Sequence, residues 1–484
     1  MKRSAIFTRT RLAQLALLVL GGTAAACALA QPKSTPSPTG TAAPAPPKTK
    51  AKDIVLDGAA PPSGALVATP GAPGAGAMVA TPGAPATAPR PARRANTPAH
   101  DSASAGALAE LALDMLRQQS AATGNAQENA VVSPLSLAAA LGMIHAGTSG
   151  AGAQELAKLM GSQSSGERFY SARLPAILDR LAKPGETGLP FVMANRVWVD
   201  KSVLPAIPPT YGAIVTDRFN ADAAVLAFAQ AGAARAEINA WVGRKTAGRI
   251  PELMPEGSVS PSTKLVATNA IHFKSKWFEP FDPQQTVPKP FHVGPGAAAK
   301  QVPTMVDERQ VRIGTVDNIS VFELPFAGEE YTLLLGMAPA GHTLNALETD
   351  LEGLDLASWS AQLKPTRCRL ELPKFSIAPA SVPLKPALQA LGVKTVFGQD
   401  ADFSALLGHA GKGVMLDNVY QSATIIIDER GGEAAAATGA AGAAKSFSLP
   451  APACAVDRPF IFAVMHRASG TPLFVGKVAD PSQH

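Results

Sequence analysis

From residue 431 to residue 444 the chain is built of Gly, Ala and Thr with the single exception of Glu433. The β-branched run Ile425-Ile-Ile427 leads into this stretch through Asp428, Glu429 and Arg430, and Lys445-Ser-Phe-Ser448 ends it. Such a composition fits either an Ala/Gly linker, with Ala434–Ala437 free to turn helical, or a loop inside a folded domain. Its position separates the two. A linker joins domains, yet only 27 residues follow Asp457, too few for a second domain, and they look like closing strands. The small-residue stretch is therefore a long loop within one domain, and loops of that length are usually functional. Whatever fold the chain takes must place both flanks of this loop in one core.

The rest of the chain divides by composition. It has 484 residues with 43 Lys/Arg, 37 Asp/Glu and a net charge of +6, which invites a nucleic-acid or membrane-surface partner. The first hundred residues, however, hold 11 of the basic residues, only two of the acids (Asp53 and Asp57) and 15 of the 43 prolines. That leaves 32 basic and 35 acidic residues for the remainder, so the surplus belongs to a tail and no nucleic-acid partner is expected. Residues 1–30 have the layout of an export signal: Lys2, Arg3, Arg9 and Arg11, then an apolar stretch at 12–20 too short to span a bilayer. Cleavage after Ala28-Leu29-Ala30 satisfies the small-x-small rule. Ala24-Ala25-Ala26-Cys27 resembles a bacterial lipoprotein box but lacks the usual Leu three residues before the Cys, so lipidation of Cys27 stands as the alternative. Residues 31–101 are rich in Pro, Ala and Gly, with a duplicated Val-Ala-Thr-Pro-Gly-Ala-Pro at 67–73 and 79–85. They read as a disordered tether, unable to bury enough apolar surface to offset their ordering entropy. The expected location is extracellular, periplasmic or cell-surface, with membrane contact only through a lipid on Cys27.

The texture changes near Ser102. Helix-spaced apolar residues occur at 107–118, 135–146, 151–160, 174–181, 234–244 and 386–391, and Ser133-Pro134 opens the second of these with a cap residue followed by proline. Strand-like runs occupy 191–199, 263–273, 321–324, 331–338, 367–377, 423–428 and 459–465. With no regular βαβ repeat the pattern predicts one large α+β domain over 102–484. No H-E-x-x-H, G-x-S-x-G, P-loop or C-x-x-C is present, and the eight histidines never pair at metal-ligand spacing. No catalytic residues, metal or cofactor are expected.

Seven motifs then fall in one order. They are Asn129-Ala-Val-Val-Ser-Pro-Leu-Ser136, Thr268-Asn-Ala-Ile-His-Phe-Lys-Ser-Lys-Trp277 with Pro280-Phe-Asp282, Phe322-Glu-Leu-Pro-Phe326, Leu372-Pro-Lys-Phe-Ser-Ile377, Ala401-Asp-Phe-Ser404, Asp457-Arg-Pro-Phe460 and Leu473-Phe-Val-Gly-Lys-Val478. Their order and spacing resemble the serpin family over nearly all of 102–482, as a bacterial-like exported member. The resemblance implies a large central mixed sheet, two smaller sheets, about eight to nine helices and an exposed reactive-centre loop. Ser133, Ser136 and Asn269 then match the family's shutter and Trp277 its breach. Glu429, Gly431, Gly432, Glu433, Ala434, Ala435, Ala436, Ala437 and Thr438 match its hinge.

The family's inhibitory members act by suicide. A serine protease attacks the loop, forms an acyl-enzyme and is dragged as the cut loop enters the main sheet. Roughly fifteen residues at ~3.3 Å each carry the acylated end about 50 Å. Alternate side chains enter the core, and from Gly432 these are Gly432, Ala434, Ala436, Thr438, Ala440 and Gly442, all small. Counting seventeen residues from Glu429 places Lys445 and Ser446 across the scissile bond, which suits a trypsin-like protease whose pocket ends in a carboxylate. Phe447-Ser448 is the alternative bond, suited to chymotrypsin- or subtilisin-like enzymes. The partner implied is a serine protease held in covalent complex by a monomeric inhibitor. The competing function is a non-inhibitory, tethered binding or structural protein. Two positions depart from the family: Gly432, where Thr or Ser is common, and Gln421, where a shutter His usually bonds groups matching Ser133 or Ser136 and Asn269. The former adds flexibility and the latter loses a pH switch. Cys368 and Cys454 match neighbouring strands of a small sheet, which admits a disulfide in an exported protein or two unpaired thiols.

Overall fold

The computed structural model describes residues 102–124, 127–161, 163–183, 188–350, 356–378, 381–432 and 451–483. The signal with Cys27, the tether, and 433–450 lie outside the described residues, and with them Glu433, Ala434, Ala435, Ala436, Ala437, Thr438, Lys445, Ser446, Phe447 and Ser448.

Helix Pro134–Gly147 begins where Ser133-Pro134 predicts, with Ser133 Oγ accepting the Ser136 amide hydrogen at 3.2 Å and proline in the first turn. Apart from His145 its residues are apolar or small, and twelve of its fourteen residues are buried. A helix hydrophobic all round belongs inside a core. Gly142 lets it approach closely, because a Cβ there would strike the Phe219 ring of helix Pro209–Phe219.

Against this helix lies a six-stranded mixed sheet. Its order is Phe375–Ile377, Asn418–Ile427, Leu265–Phe273, Phe191–Asp200 and Asp222–Leu226, with Val382–Pro383 also paired to Asn418–Ile427. All nine residues of Leu265–Phe273 are buried, since both sheet faces are covered. Leu265, Ala267, Ile271 and Phe273 join the main core with helix Pro134–Gly147. Val266 and Ala270 face a second core of Trp198, Ile238, Trp241 and Tyr420 under helix Ala231–Lys245.

The second sheet has nine strands. The 17-residue strand Lys300–Val316 pairs with Val287–Phe291 by its first residues, Lys364–Pro373 along its middle and Ile319–Pro325 by its end. One long strand thereby links the two smaller sheets of the family's plan into one continuous ladder. Sequence periodicity does not reveal it, because its burial alternates irregularly and it carries charge midway, at Asp307, Glu308 and Arg309. Eleven α-helical segments occur among the described residues, eight of seven residues or more. The fold is α+β, with helix boundaries within a few residues of those expected apart from the longer Ser102–Thr123. Pro209–Phe219, Leu344–Asp350 and Leu356–Gln362 carry no strong apolar period and were not expected.

Candidate functional site

The site is built along the seam between Asn418–Ile427 and Leu265–Phe273. These strands run parallel, with residues 418–424 opposite 266–272. Residue alternation puts Asn269 and its partner across the seam, Gln421, on the face of helix Pro134–Gly147. Gln421 Nε2 donates to Asn269 Oδ1 at 2.5 Å. Asn269 Nδ2 donates in turn to the Ser136 carbonyl (2.8 Å), Ser136 Oγ (2.6 Å) and Asn195 Oδ1 (2.6 Å). Ser136, Asn195, Asn269 and Gln421 are all buried, so each amide depends on its neighbours for hydrogen bonds. Ser133 does not join them: its hydroxyl donates to the Leu473 carbonyl at 2.7 Å and caps the helix. Gln421 therefore keeps the bond to Asn269 and makes none to Ser133 or Ser136. Asn195 is the member that sequence reasoning missed; an Asn beside Arg196 within the otherwise largely apolar strand Phe191–Asp200 was its only signal. On the seam's other face His272 Nδ1 and Thr424 Oγ1, also opposite one another, lie 2.7 Å apart.

Above the seam the chain reverses. Asp428 and Gly431 exchange both backbone hydrogen bonds (3.0 and 3.2 Å), making a tight turn of Glu429-Arg430. Gly431 has φ +123°, a region where side chains are strained, and a Cβ there would fall on the Ser275 carbonyl. Gly432 then donates to the Ser275 carbonyl at 2.5 Å, and Gly431 pairs antiparallel with Lys276. Both glycines are buried. The first residues of the small-residue stretch thus already lie between the two parallel strands' upper ends. A Cβ on Gly432 would meet the Phe273 ring, itself packed edge-on against Phe326 and Phe474. Close packing, as well as flexibility, accounts for glycine where the family commonly has Thr or Ser.

The turn is held from outside by Trp277, and by Thr286 and Lys374 through the Glu429 side chain. The Trp277 indole N–H donates to the Asp428 carbonyl (2.8 Å) and its backbone N–H to the Arg430 carbonyl (2.9 Å), while its ring stacks on Phe326 at 4.7 Å. Glu429 accepts from Thr286 Oγ1 at 2.7 Å and pairs with Lys374 Nζ at 3.0 Å. Burial pushes the Glu429 carboxyl up, but the Thr286 hydroxyl, its own backbone N–H and Lys374 outweigh that and hold it below the ordinary value. Thr286 and Lys374 come from distant parts of the chain and left no signal of this role.

Beyond 450 the chain rejoins the fold as edge strand Ala453–Ala455, parallel to residues 369–371 of Lys364–Pro373. Cys454 on it forms a disulfide with Cys368, their Cα atoms 5.9 Å apart.

The site is thus a parallel strand pair inside an α+β core, closed at its upper ends by the buried turn 428–432. The family model described as "Serpin (serine protease inhibitor)" matches residues 106–481, and the chain belongs to the serpin family. The leukocyte elastase inhibitor of Bos taurus is 31% identical over 369 residues, covering 74% of this chain and 94% of that protein. Among solved structures, mouse protein-Z dependent protease inhibitor superposes with a TM-score of 0.67 at 25% identity, over 78% of this chain and 97% of the other. A thyroxine-binding globulin solved with thyroxine superposes at 0.69, also at 25% identity, over 78% and 99%.

Proposed function

We propose that this protein is an exported, suicide-type inhibitor of trypsin-like serine proteases. The protease attacks the Lys445-Ser446 bond and is trapped as an acyl-enzyme when the cut loop enters the seam. The observation that carries this is the direction of Gly432, which points at Phe273 of the main core from a position antiparallel to 275–276. Continued downward, the same strand would point 434, 436, 438, 440 and 442 into that core, and each is Ala, Thr or Gly. Insertion would exchange one parallel pairing for two antiparallel ones, the slightly more stable kind, while burying little polar surface. The inhibitor would act as a monomer, secreted or tethered through 31–101, with a lipid on Cys27 if that residue survives processing.

The test is incubation of the full chain with trypsin, followed by denaturing electrophoresis and mass spectrometry of the cut loop. A covalent complex cut after Lys445 is expected; clean cleavage without adduct overturns it. Lys445→Glu should abolish trapping of trypsin, and Ala434→Arg should leave a substrate. An adduct at Phe447 would move the target to chymotrypsin- or subtilisin-like enzymes. The likeness to thyroxine-binding globulin favours a second reading, a serpin that binds rather than inhibits. In that case loop cleavage would leave the melting temperature unchanged instead of raising it sharply.

A further inference from the structure

Glu323, in the Phe322–Phe326 motif, is buried, with only 2% of its side chain exposed, and its two carboxylate oxygens are held differently. Oε2 accepts from Arg312 Nη1 and, at 2.9 Å, from the Ser360 hydroxyl. Oε1 is buried and accepts no hydrogen bond among the described residues; Arg467 Nε stands 3.6 Å away, too far to make one. A buried carboxylate oxygen without a donor is costly, and folded proteins seldom leave one unless something else supplies the donor.

That side chain lines a cavity of about 250 Å³ between residues 277–279, strand Ile319–Pro325 and strand Lys300–Val316. Its apolar lining is Trp277, Phe278, Val311, Leu324, Pro325 and Pro365. Phe278 is 51% exposed, one of four large apolar side chains open to solvent among the described residues, so it stands at the mouth. The charges around the cavity do not balance. Arg309 is taken up by Asp307, through Nε at 3.1 Å and Nη2 at 2.7 Å, while its Nη1 donates to the Glu279 carbonyl. Glu279, Glu323 and Glu329 then face only Arg312 and Arg467, which leaves one negative charge. An anion would be repelled by this excess, and a purely apolar molecule would leave Oε1 without a donor. A cation on an apolar body answers both features. Its charge cancels the excess, and its ring packs beside Trp277 and Phe278, whose faces attract cations as well as apolar groups.

We propose that this cavity is a binding site for a small arylalkylamine, whose ammonium group donates to Glu323 Oε1 while its ring lies against Trp277 and Phe278. The bond formed is a charge-assisted one in a place screened from water. Trp277 also holds the Asp428 and Arg430 carbonyls, so the ligand would sit directly behind the clamp on the turn. The site uses none of residues 433–450 and needs neither a protease nor a cut loop, so it stands or falls apart from the inhibitor reading.

The test is isothermal titration calorimetry of the full, uncut chain with phenethylamine, 2-phenylethanol and phenylacetate, three probes of similar shape and different charge. Phenethylamine should bind once per chain with a Kd of about 1 mM or tighter. The alcohol should bind at least about tenfold more weakly, and the acid not at all. Glu323→Gln puts an N–H donor where the free oxygen stands and should weaken the amine at least about tenfold. Phe278→Ala should weaken it about threefold, whereas Met415→Ala, another exposed apolar side chain, should change nothing. If Glu323→Gln lowers the melting temperature, Glu279→Gln removes the same charge at a solvent-exposed residue and should still weaken the amine about threefold. Absence of binding at about 20 mM amine, equal affinity for amine and alcohol, or an affinity untouched by the two glutamate variants would each overturn the site.

Discussion

The upper and lower halves of the seam are joined in opposite ways. Below, Asn269, Gln421, Asn195 and Ser136 lock strands to the helix with neutral, fully buried amide and hydroxyl contacts. Above, a glycine turn is held by an indole, a threonine and a partly exposed Lys374–Glu429 pair. A buried amide cluster costs most when one member is removed, because its neighbours lose partners that water cannot replace. Of the upper contacts, the Lys374–Glu429 pair is the one whose cation is open to water, which can replace it at little cost. A single side-chain contact is therefore costlier to lose in the lower half than at the partly exposed ion pair above.

Four experiments would break or sharpen that contrast. The largest effect should come from Gly431→Ala in the upper half. Its positive φ and the Ser275 carbonyl together should cost about 3 kcal/mol or more, read as a lowered urea midpoint. A midpoint unchanged within error would show that the turn is not packed as described. Next comes Asn269→Ala, which strands Gln421 and Ser136 and should cost about 2–3 kcal/mol at unchanged pH dependence. Should its cost fall below that of Lys374→Ala, expected at no more than about 1 kcal/mol, the ranking of the two halves is reversed.

The third is a pH titration. The folded Glu429 carboxyl lies below its ordinary value, so its contribution is fully present above about pH 4.5 and is lost as pH falls through the lowered folded value. Trp277, which shares the turn, should report this as an acid fluorescence transition, and Glu429→Gln should remove it. A transition identical in the variant would assign it to another carboxylate. The smallest effect is Gln421→His. A buried imidazole beside Asn269 with no carboxylate partner titrates below its ordinary value. Its contribution is therefore present above about pH 6.5 and lost on acidification through the lowered value, giving the lower half a pH dependence it now lacks. Identical stability curves from pH 5 to 8 would show that this position does not couple to the seam.

Much of this was legible in residue order. Ser133-Pro134 announced a capped helix and Ile425-Ile-Ile427 a buried strand. Those signals are local or periodic, and the chain states them directly. Thr286, Lys374 and Phe273 were not legible as hinge partners, because each lies far from Glu429 or Gly432 in sequence and carries no unusual neighbour. The family resemblance had placed Cys368 and Cys454 on neighbouring strands with bridge and free thiols both open; the pairing of Ala453–Ala455 with residues 369–371 brings the two sulfurs together across 86 residues of chain.

Sequence alone thus determined the class of fold, the capped core helix and the smallness of the loop residues, since these follow from composition, period and spacing. Tertiary structure decided where the loop begins and what grips it. Gly432 is glycine for the sake of Phe273, Thr286 and Lys374 help hold the Glu429 carboxyl below its ordinary value, and Ser133 serves its helix while Asn195 serves the seam. Each of these depends on which distant side chain fills the space beside it, and only the packed chain settles that.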